Sequence, residues 1–171
     1  MDALIFTNLS PEHIESHGSF ENYREAKLSI ARTLARSSKK HRHMVANTDD
    51  AAGNLFLSVQ GVEAVPFSIH DGEPVEASAS GTTITWDGEK VTSVLPGLFN
   101  AYNIIAAATC AAKLGIAKEA ILSGITNMKR IEGRAERIEG GQHFPVIVDY
   151  AHTPDSLEAL YSTFKGYENI C

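Results

Sequence analysis

This sequence of 171 residues contains little cysteine and no long apolar run. Its two cysteines, Cys110 and Cys171, do not provide the disulfide framework of a small secreted domain, which favours a reducing cytosol. The N-terminus lacks a charged region followed by an apolar core, so no secretory leader is predicted. No apolar run approaches the length of a membrane span. We therefore expect a cytoplasmic protein that does not contact the membrane.

Basic charge is also scarce. The 15 lysine and arginine residues are outnumbered by 21 aspartate and glutamate residues, which gives a formal net charge of −6 at pH 7. No basic stripe is present, and the cluster of basic residues at 32–42 is typical of a solvated helix end and loop. This balance argues against a nucleic-acid partner.

The sequence does contain alternating strand and helix patterns. Periodicity and turn signals predict the following elements: strand 2–6, helix 20–36, strand 43–47, a helix capped by Asp49 or Asp50 that ends near Gln60, strands within 64–95, helices 101–114 and 117–127 separated by Gly115, strand 145–149 and a final helix. The dipeptide Asp87-Gly88 predicts a tight hairpin turn. This order predicts an α/β layer with antiparallel hairpins, then the start of a second α/β unit. Since strand patterns lie at both ends, we expect an internal fragment of a longer protein.

The most informative stretch is the run Val-Asp-Tyr-Ala-His-Thr-Pro-Asp-Ser-Leu-Glu at 148–158. It predicts a buried strand at 146–148, a polar turn, and a helix with Thr153 as its N-cap. Asp149 and His152 follow the strand, where open α/β sheets usually hold ligands. The full string resembles the Mur ligases, in particular the type that adds the third amino acid to UDP-N-acetylmuramoyl-dipeptide.

Other segments match motifs of the same family. The matching segments occur in the family's order, at 7–13, 23–27, 97–103, 133–136 and 148–158. The resemblance covers nearly the whole chain, whereas the chain covers only about a third of such a ligase. It implies an α/β fold in two parts. Residues 1–131 would form the C-terminal part of the central ATP-binding domain, a sheet flanked by helices plus antiparallel hairpins, and residues 132–171 would begin the Rossmann-like C-terminal domain.

Lys27 is unusual even without the family. On the predicted helix it lies four residues after Tyr23 and four before Ala31, on an apolar stripe where burial disfavours a charged amine. The ordinary alternative is a lysine whose stem packs while its head reaches water. The resemblance implies another role, because the family lysine in a Tyr-x-x-Ala-Lys context is carbamylated and helps to bind Mg²⁺. Only a neutral amine can attack carbon dioxide, and the carbamate product is an oxygen ligand for a hard cation.

The loop at 7–13 reads Thr-Asn-Leu-Ser-Pro-Glu-His. A loop histidine that bonds to backbone groups is the ordinary interpretation, and imidazole is not the preferred ligand of Mg²⁺. The resemblance implies that His13 binds a second magnesium ion, with Asn8 and Glu12 orienting the loop. We assign His17 a structural role.

The segment at 97–103 reads Gly-Leu-Phe-Asn-Ala-Tyr-Asn and opens the predicted helix 101–114. Without the family, it is a glycine turn with Asn100 as the helix N-cap. The resemblance places such a segment beside the adenine of ATP, where a side-chain amide can donate and accept side by side. We therefore assign Asn103 to the adenine and Asn100 to the cap, and count both in the nucleotide site.

The remaining nucleotide contacts lie after the second helix of this pair. An arginine in a glycine-flanked turn, such as Arg134, is ordinarily solvated surface. The family's arginine at this point contacts the nucleotide, and a guanidinium suits phosphate or ribose oxygens. The resemblance also implies that Asp149 accepts hydrogen bonds from the ribose hydroxyls and that Tyr150 and His152 flank the nucleotide. No proton transfer is assigned to His152.

The resemblance implies a ligase of cell-wall precursor synthesis that uses ATP and Mg²⁺. Its partners would be UDP-N-acetylmuramoyl-L-Ala-D-Glu and an amino acid, diaminopimelate or lysine, joined through an acyl phosphate. The chain contains no Gly-x-x-Gly-Lys-Ser/Thr phosphate loop, so we expect the isolated chain to be inactive. Exposed sheet edges of a partial fold favour self-association.

Two alternatives stay open. A folylpolyglutamate or cyanophycin-type ligase shares the central fold, although the Tyr-Ala-His-Thr-Pro string at 150–154 argues against it. A non-catalytic nucleotide-binding or interaction module is the alternative from another class. The flanking reading frame would distinguish them.

Overall fold

The computed structural model describes residues 1–11 and 14–166. Its elements in chain order are β1 Ala3–Phe6, α1 Ile14–His17, α2 Phe20–Ala35, β2 His43–Asn47, α3 Gly53–Leu57, β3 Glu63–Phe67, a 3₁₀ helix Ile69–Gly72, β4 Glu76–Ser78, β5 Gly81–Trp86, β6 Glu89–Ser93, α4 Leu98–Lys113, α5 Lys118–Asn127, β7 Glu136–Ile138, β8 Val146–Val148 and α6 Pro154–Thr163. The protein is therefore of the predicted α/β class.

The chain forms two compact units. The first unit is Met1–Asp71 with Tyr102–Ile121, and the second is Gly72–Ala101 with Leu122–Cys171. The chain passes between them three times: at the end of the 3₁₀ helix, within α4 and within α5. The domain boundary expected between residues 131 and 132 stays a prediction.

A parallel sheet organises the first unit. Its strands lie in the order β1-β2-β3, and every residue of the central strand β2 is buried. The core residues packed around this sheet include Phe6, Leu34, Met44 and Phe56. The rings of Phe6 and Phe56 stack with their centroids 4.0 Å apart. Because the three strands are parallel, the polar groups that follow them lie at the same carboxyl edge of the sheet.

Side chains hydrogen-bond to terminal backbone groups at both ends of helix α2. The hydroxyl of Ser19 accepts the N–H of Asn22 at 3.1 Å, which caps the first turn. At the other end, Arg42 donates to the carbonyl of Ala35 at 3.1 Å. The buried residues of the helix are Tyr23, Ala31 and Leu34. The helix therefore has the apolar stripe that its sequence predicts.

An antiparallel meander, β4-β5-β6, lies in the second unit. Asp87 and Gly88 join β5 to β6 with φ values of 49° and 79°. Two positive φ values in a two-residue loop are typical of the mirror-image turns that suit hairpins, so the predicted hairpin is confirmed. The other strand of the 64–95 stretch, β3, pairs with β2 in the parallel sheet of the first unit.

The predicted cap of the third helix was wrong. Helix α3 is shorter than expected, and its N-cap is Ala52, which makes no side-chain cap bond. The carboxylate of Asp50 instead accepts the N–H of Ala52 at 2.8 Å, two residues on, as in an Asx-turn. Two adjacent aspartates before a helix were therefore misread as caps.

Residues 146–148 form the predicted strand, but the prediction that this strand is buried was wrong. Strand β8 pairs antiparallel with β7 in a two-stranded sheet, and Val148 is 44% exposed. The following helix agrees with expectation, since Thr153 accepts the N–H of Ser156 and Pro154 lies in the first turn. Within the described part of the chain, no helix is long and apolar enough to cross a membrane.

Candidate functional site

The turn that carries Arg134 has a strained backbone in the second unit. Ala135 adopts a φ of 45°, a left-handed conformation that costs a residue with a side chain about 1 kcal/mol. Its neighbour Glu136 is 8% exposed, and its carboxylate accepts the N–H of Gly133 at 2.9 Å. The same carboxylate pairs with Arg130 at 3.3 Å. These contacts hold the turn in one conformation.

Asp149 links this turn to the one after β8. Its Oδ2 accepts the N–H of Ala135 at 2.6 Å, and its Oδ1 accepts the N–H of Ala151 at 2.6 Å. A carboxylate oxygen has two lone pairs, so each oxygen retains capacity for a further donor. Paired hydroxyl donors, as on a ribose, fit that remaining capacity.

Arg134, Tyr150 and His152 form a cluster at this junction. The guanidinium carbon of Arg134 lies 5.3 Å from the centroid of the Tyr150 ring. The rings of Tyr150 and His152 meet edge to face, with centroids 5.0 Å apart. Tyr150 is nevertheless 67% exposed. An exposed aromatic ring beside a cation suits a planar, anionic ligand such as a nucleotide.

Asn100 does not cap α4. The helix begins at Leu98, so Asn100 is its third residue, and the cap prediction was wrong. Its side chain is buried, and its amide nitrogen donates to the carbonyl of Pro96 at 2.7 Å. Asn100 therefore fixes the turn before the helix, and its part in a nucleotide site stays a prediction.

Lys27 and Asn103 belong to the first unit. Lys27 is half-buried on the apolar stripe of α2, with its ammonium 5.1 Å from the centroid of the Tyr23 ring. An ammonium has no free lone pair, so Lys27 fits a magnesium site only as a carbamate, whose oxygens are the ligands that Mg²⁺ prefers. Asn103 is exposed on α4.

Sequence reasoning missed a role for Asp49. Its Oδ2 accepts the hydroxyl of Tyr102 at 3.0 Å and the N–H of Ile69 at 2.8 Å. Partial burial, and then the hydrogen bond to Asp49, raises the pKa of Tyr102 above its usual value. The hydrogen bond to Asp49 holds Tyr102, the residue beside Asn103, in place. The only sequence signal is the Asp-Asp pair at 49–50, which predicts a helix cap instead.

The predicted ligand His13, together with Glu12, lies outside the described residues. Among residues 1–11 and 14–166, no three His, Cys, Asp or Glu side chains are grouped to hold a metal ion. The structure therefore brings together Arg134, Asp149, Tyr150 and His152 in one unit, and it describes Lys27 and Asn103 in the other.

Known proteins resemble this chain in sequence and in fold. The profile of the family described as Mur ligase middle domain matches residues 1–111. The UDP-N-acetylmuramoyl-L-alanyl-D-glutamate–2,6-diaminopimelate ligase of Bacillus velezensis is 37% identical over 175 residues, which cover 96% of this chain and 36% of that protein. The chain thus spans about a third of the length of this curated relative.

Two solved structures show the same fold at low sequence identity. MurF from Acinetobacter baumannii superposes with a TM-score of 0.83 at 19% identity, covering 98% of this chain and 38% of that one. The MurF ligase of Thermotoga maritima in complex with ADP gives a TM-score of 0.72 at 16% identity, covering 98% of this chain and 40% of that one.

Proposed function

This chain belongs to the Mur ligase family, and from this membership we propose that it is part of an ATP-dependent ligase of peptidoglycan precursor synthesis. The substrate is UDP-N-acetylmuramoyl-L-Ala-D-Glu, and the amino acid added is the third of the peptide. The relative from Bacillus velezensis, whose name specifies 2,6-diaminopimelate, supports that amino acid. The reaction belongs to the cytoplasm.

The geometry around Asp149 is the observation that carries this proposal. One carboxylate holds the Arg134 turn and the Tyr150 turn together and keeps lone pairs for a ligand. Asp149 would accept the ribose hydroxyls, and the guanidinium of Arg134 would bind phosphate oxygens. Tyr150 and His152 would flank the nucleotide. The solved neighbour in complex with ADP supports a nucleotide ligand.

Lys27 and His13 are the proposed magnesium ligands, with Lys27 carbamylated. Mg²⁺ would neutralise the charge that develops on the transferring oxygens. The carbamate forms when the amine of Lys27 has lost its proton, because only a neutral amine can attack carbon dioxide. Asn103 is the proposed adenine contact, and Asn100 is counted among the nucleotide-binding residues, as the family resemblance implies.

The proposed reaction has two steps. The terminal carboxylate of the dipeptide attacks the γ-phosphorus of ATP, the bond to the β-γ bridging oxygen breaks, and ADP leaves. The amine of the incoming amino acid then attacks the acyl carbon, phosphate leaves, and the amine proton passes to solvent. No residue of this chain is assigned as a general base.

The test uses the protein encoded by the complete reading frame. We expect phosphate release from ATP only when UDP-N-acetylmuramoyl-L-Ala-D-Glu and diaminopimelate or lysine are both present. We expect Lys27→Ala to lower kcat at least about a hundredfold, the loss typical of removing one group that stabilises transition-state charge. Lys40→Ala is the matched control, because Lys40 is an exposed lysine of the same unit outside the motifs.

Different outcomes identify different failures. Turnover with a folate polyglutamate, and none with the muramoyl dipeptide, would identify the folylpolyglutamate alternative. Nucleotide binding without turnover of any acceptor would favour the non-catalytic module. Full activity of Lys27→Ala at ambient bicarbonate would contradict the carbamate while leaving the reaction intact.

A further inference from the structure

Residues 47–50 make a dense set of hydrogen bonds at the carboxyl edge of the parallel sheet. The side-chain amide nitrogen of Asn47 donates to the carbonyl of Thr7 at 2.9 Å. The Oδ2 of Asp50 accepts the N–H of Leu9 at 3.0 Å. The backbone that follows β1 is therefore held by two hydrogen bonds, one to the carbonyl of Thr7 and one from the N–H of Leu9. We call residues 47–50 the edge clamp.

The edge clamp is itself rigidly held. Asn47 is 6% exposed, and its Oδ1 accepts the N–H of Asp49 at 3.0 Å. The N–H of Thr48 donates to the carbonyl of Phe67 at 2.8 Å, at the end of β3. Gly53 approaches so closely that an added Cβ would lie 1.9 Å from the carbonyl oxygen of Asn47. The clamp therefore has little freedom to follow a movement of the chain at 7–9.

We propose that Asn47 and Asp50 are positioning residues that fix the backbone at residues 7–9, where the chain leaves the sheet edge. This inference rests on the proposed function, in which His13 is a magnesium ligand. The two side chains do not touch the reacting atoms. They act through the backbone, which sets where the loop leaves the sheet edge.

The first measurement is hydrogen exchange at the amide of Leu9 in the 171-residue chain. Asp50→Asn replaces one of the two acceptor oxygens by a donor, so Leu9 or Ala52 loses its partner. A hydrogen bond to a charged group is worth about 1.5–3 kcal/mol, so an amide that loses this bond exchanges at least about tenfold faster. We expect this rise at Leu9, at Ala52 or divided between them. Asn47→Ser, which is too short to reach Thr7, is a second variant should Asp50→Asn not fold.

Asp71→Asn is the matched control. Asp71 lies in the same unit, carries the same charge, and accepts the N–H of Ser68 at 2.7 Å. We expect this variant to leave exchange at Leu9 unchanged. Exchange that stays at the wild-type rate at both Leu9 and Ala52 in Asp50→Asn and at Leu9 in Asn47→Ser, or exchange at Leu9 that rises equally in Asp71→Asn, would overturn the proposal.

The second measurement is a Mg²⁺ titration followed by the amide shifts of residues 7–11. We expect the Kd for Mg²⁺ to rise about fivefold or more in Asp50→Asn, with an unfolding midpoint that matches Asp71→Asn. A purely structural role would change the midpoint and leave the Kd unaltered, which would refute positioning. If the wild-type chain binds no Mg²⁺, the metal assignment of the proposed function fails, and the exchange at Leu9 still decides whether the clamp exists.

Discussion

At the scale of single residues, two glycines in short helices have opposite surroundings. Gly53 lies in α3 against the backbone of Asn47, where an added Cβ would be only 1.9 Å from a carbonyl oxygen. Gly124 lies in α5, and nothing lies within 4 Å of a Cβ added there. The sequence does not distinguish them, because each is a single glycine within a predicted helix.

We expect Gly53→Ala to destabilise the protein by about 3 kcal/mol, because backbone must shift to admit the methyl group. Gly124→Ala should stabilise it by about 0.5–1 kcal/mol, because alanine is the better helix former and has room. Urea unfolding of both variants measures the two values. A Gly53→Ala variant as stable as the wild type would mean that α3 does not approach Asn47 as described.

At the scale of elements, the start of α6 is set by a capping box. The hydroxyl of Thr153 accepts the N–H of Ser156, and the hydroxyl of Ser156 accepts the N–H of Thr153 at 3.0 Å. We expect Thr153→Ala to lower the free energy of unfolding by about 1 kcal/mol. Thr153→Ser keeps the acceptor and should lose far less. Thermal unfolding of the two variants measures these losses of stability. Equal losses in Thr153→Ala and Thr153→Ser would contradict the role of the hydroxyl as a cap.

Elements with strong local signals were predictable, and those set by distant contacts were not. The Asp87-Gly88 turn needs only its own backbone preference, and the strand predicted at 43–47 is present as β2. Asparagine is a common N-cap, so residue type alone places the start of α4 too late. The side chain of Asn100 instead bonds back to Pro96, within a helix that begins at Leu98. The carboxylate of Asp50 takes part in a contact 41 residues away, which no local pattern indicates.

The candidate site shows the same limit. The place of Lys27 follows from helical spacing, whereas the roles of Arg134 and Asp149 came from a family resemblance. Asp149 receives the N–H of Ala135 from 14 residues away, and the left-handed φ of that alanine has no signal in the residue type. Periodicity therefore predicts which face of a helix is apolar. The contact between two turns becomes visible only in the three-dimensional structure.

At the scale of the whole molecule, the chain carries proposed ribose and adenine contacts but no phosphate loop. We expect calorimetric titration of the purified 171-residue chain with magnesium-ATP to show no binding, or binding only in the millimolar range, and no turnover of the muramoyl dipeptide. Micromolar affinity would mean that the chain builds a complete nucleotide site, and would make a stand-alone binding module the better interpretation.

The hairpin tip at Asp87-Gly88 also provides a place for a chemical label. Nothing lies within 4 Å of a Cβ added at Gly88, and the neighbouring Glu89 is exposed at the start of β6. Burial raises the pKa of the Cys110 thiol, so that thiol reacts slowly at neutral pH. With Cys171 replaced by serine, Glu89→Cys would accept a maleimide dye selectively, and the fluorescence anisotropy of the dye would report on self-association of the chain.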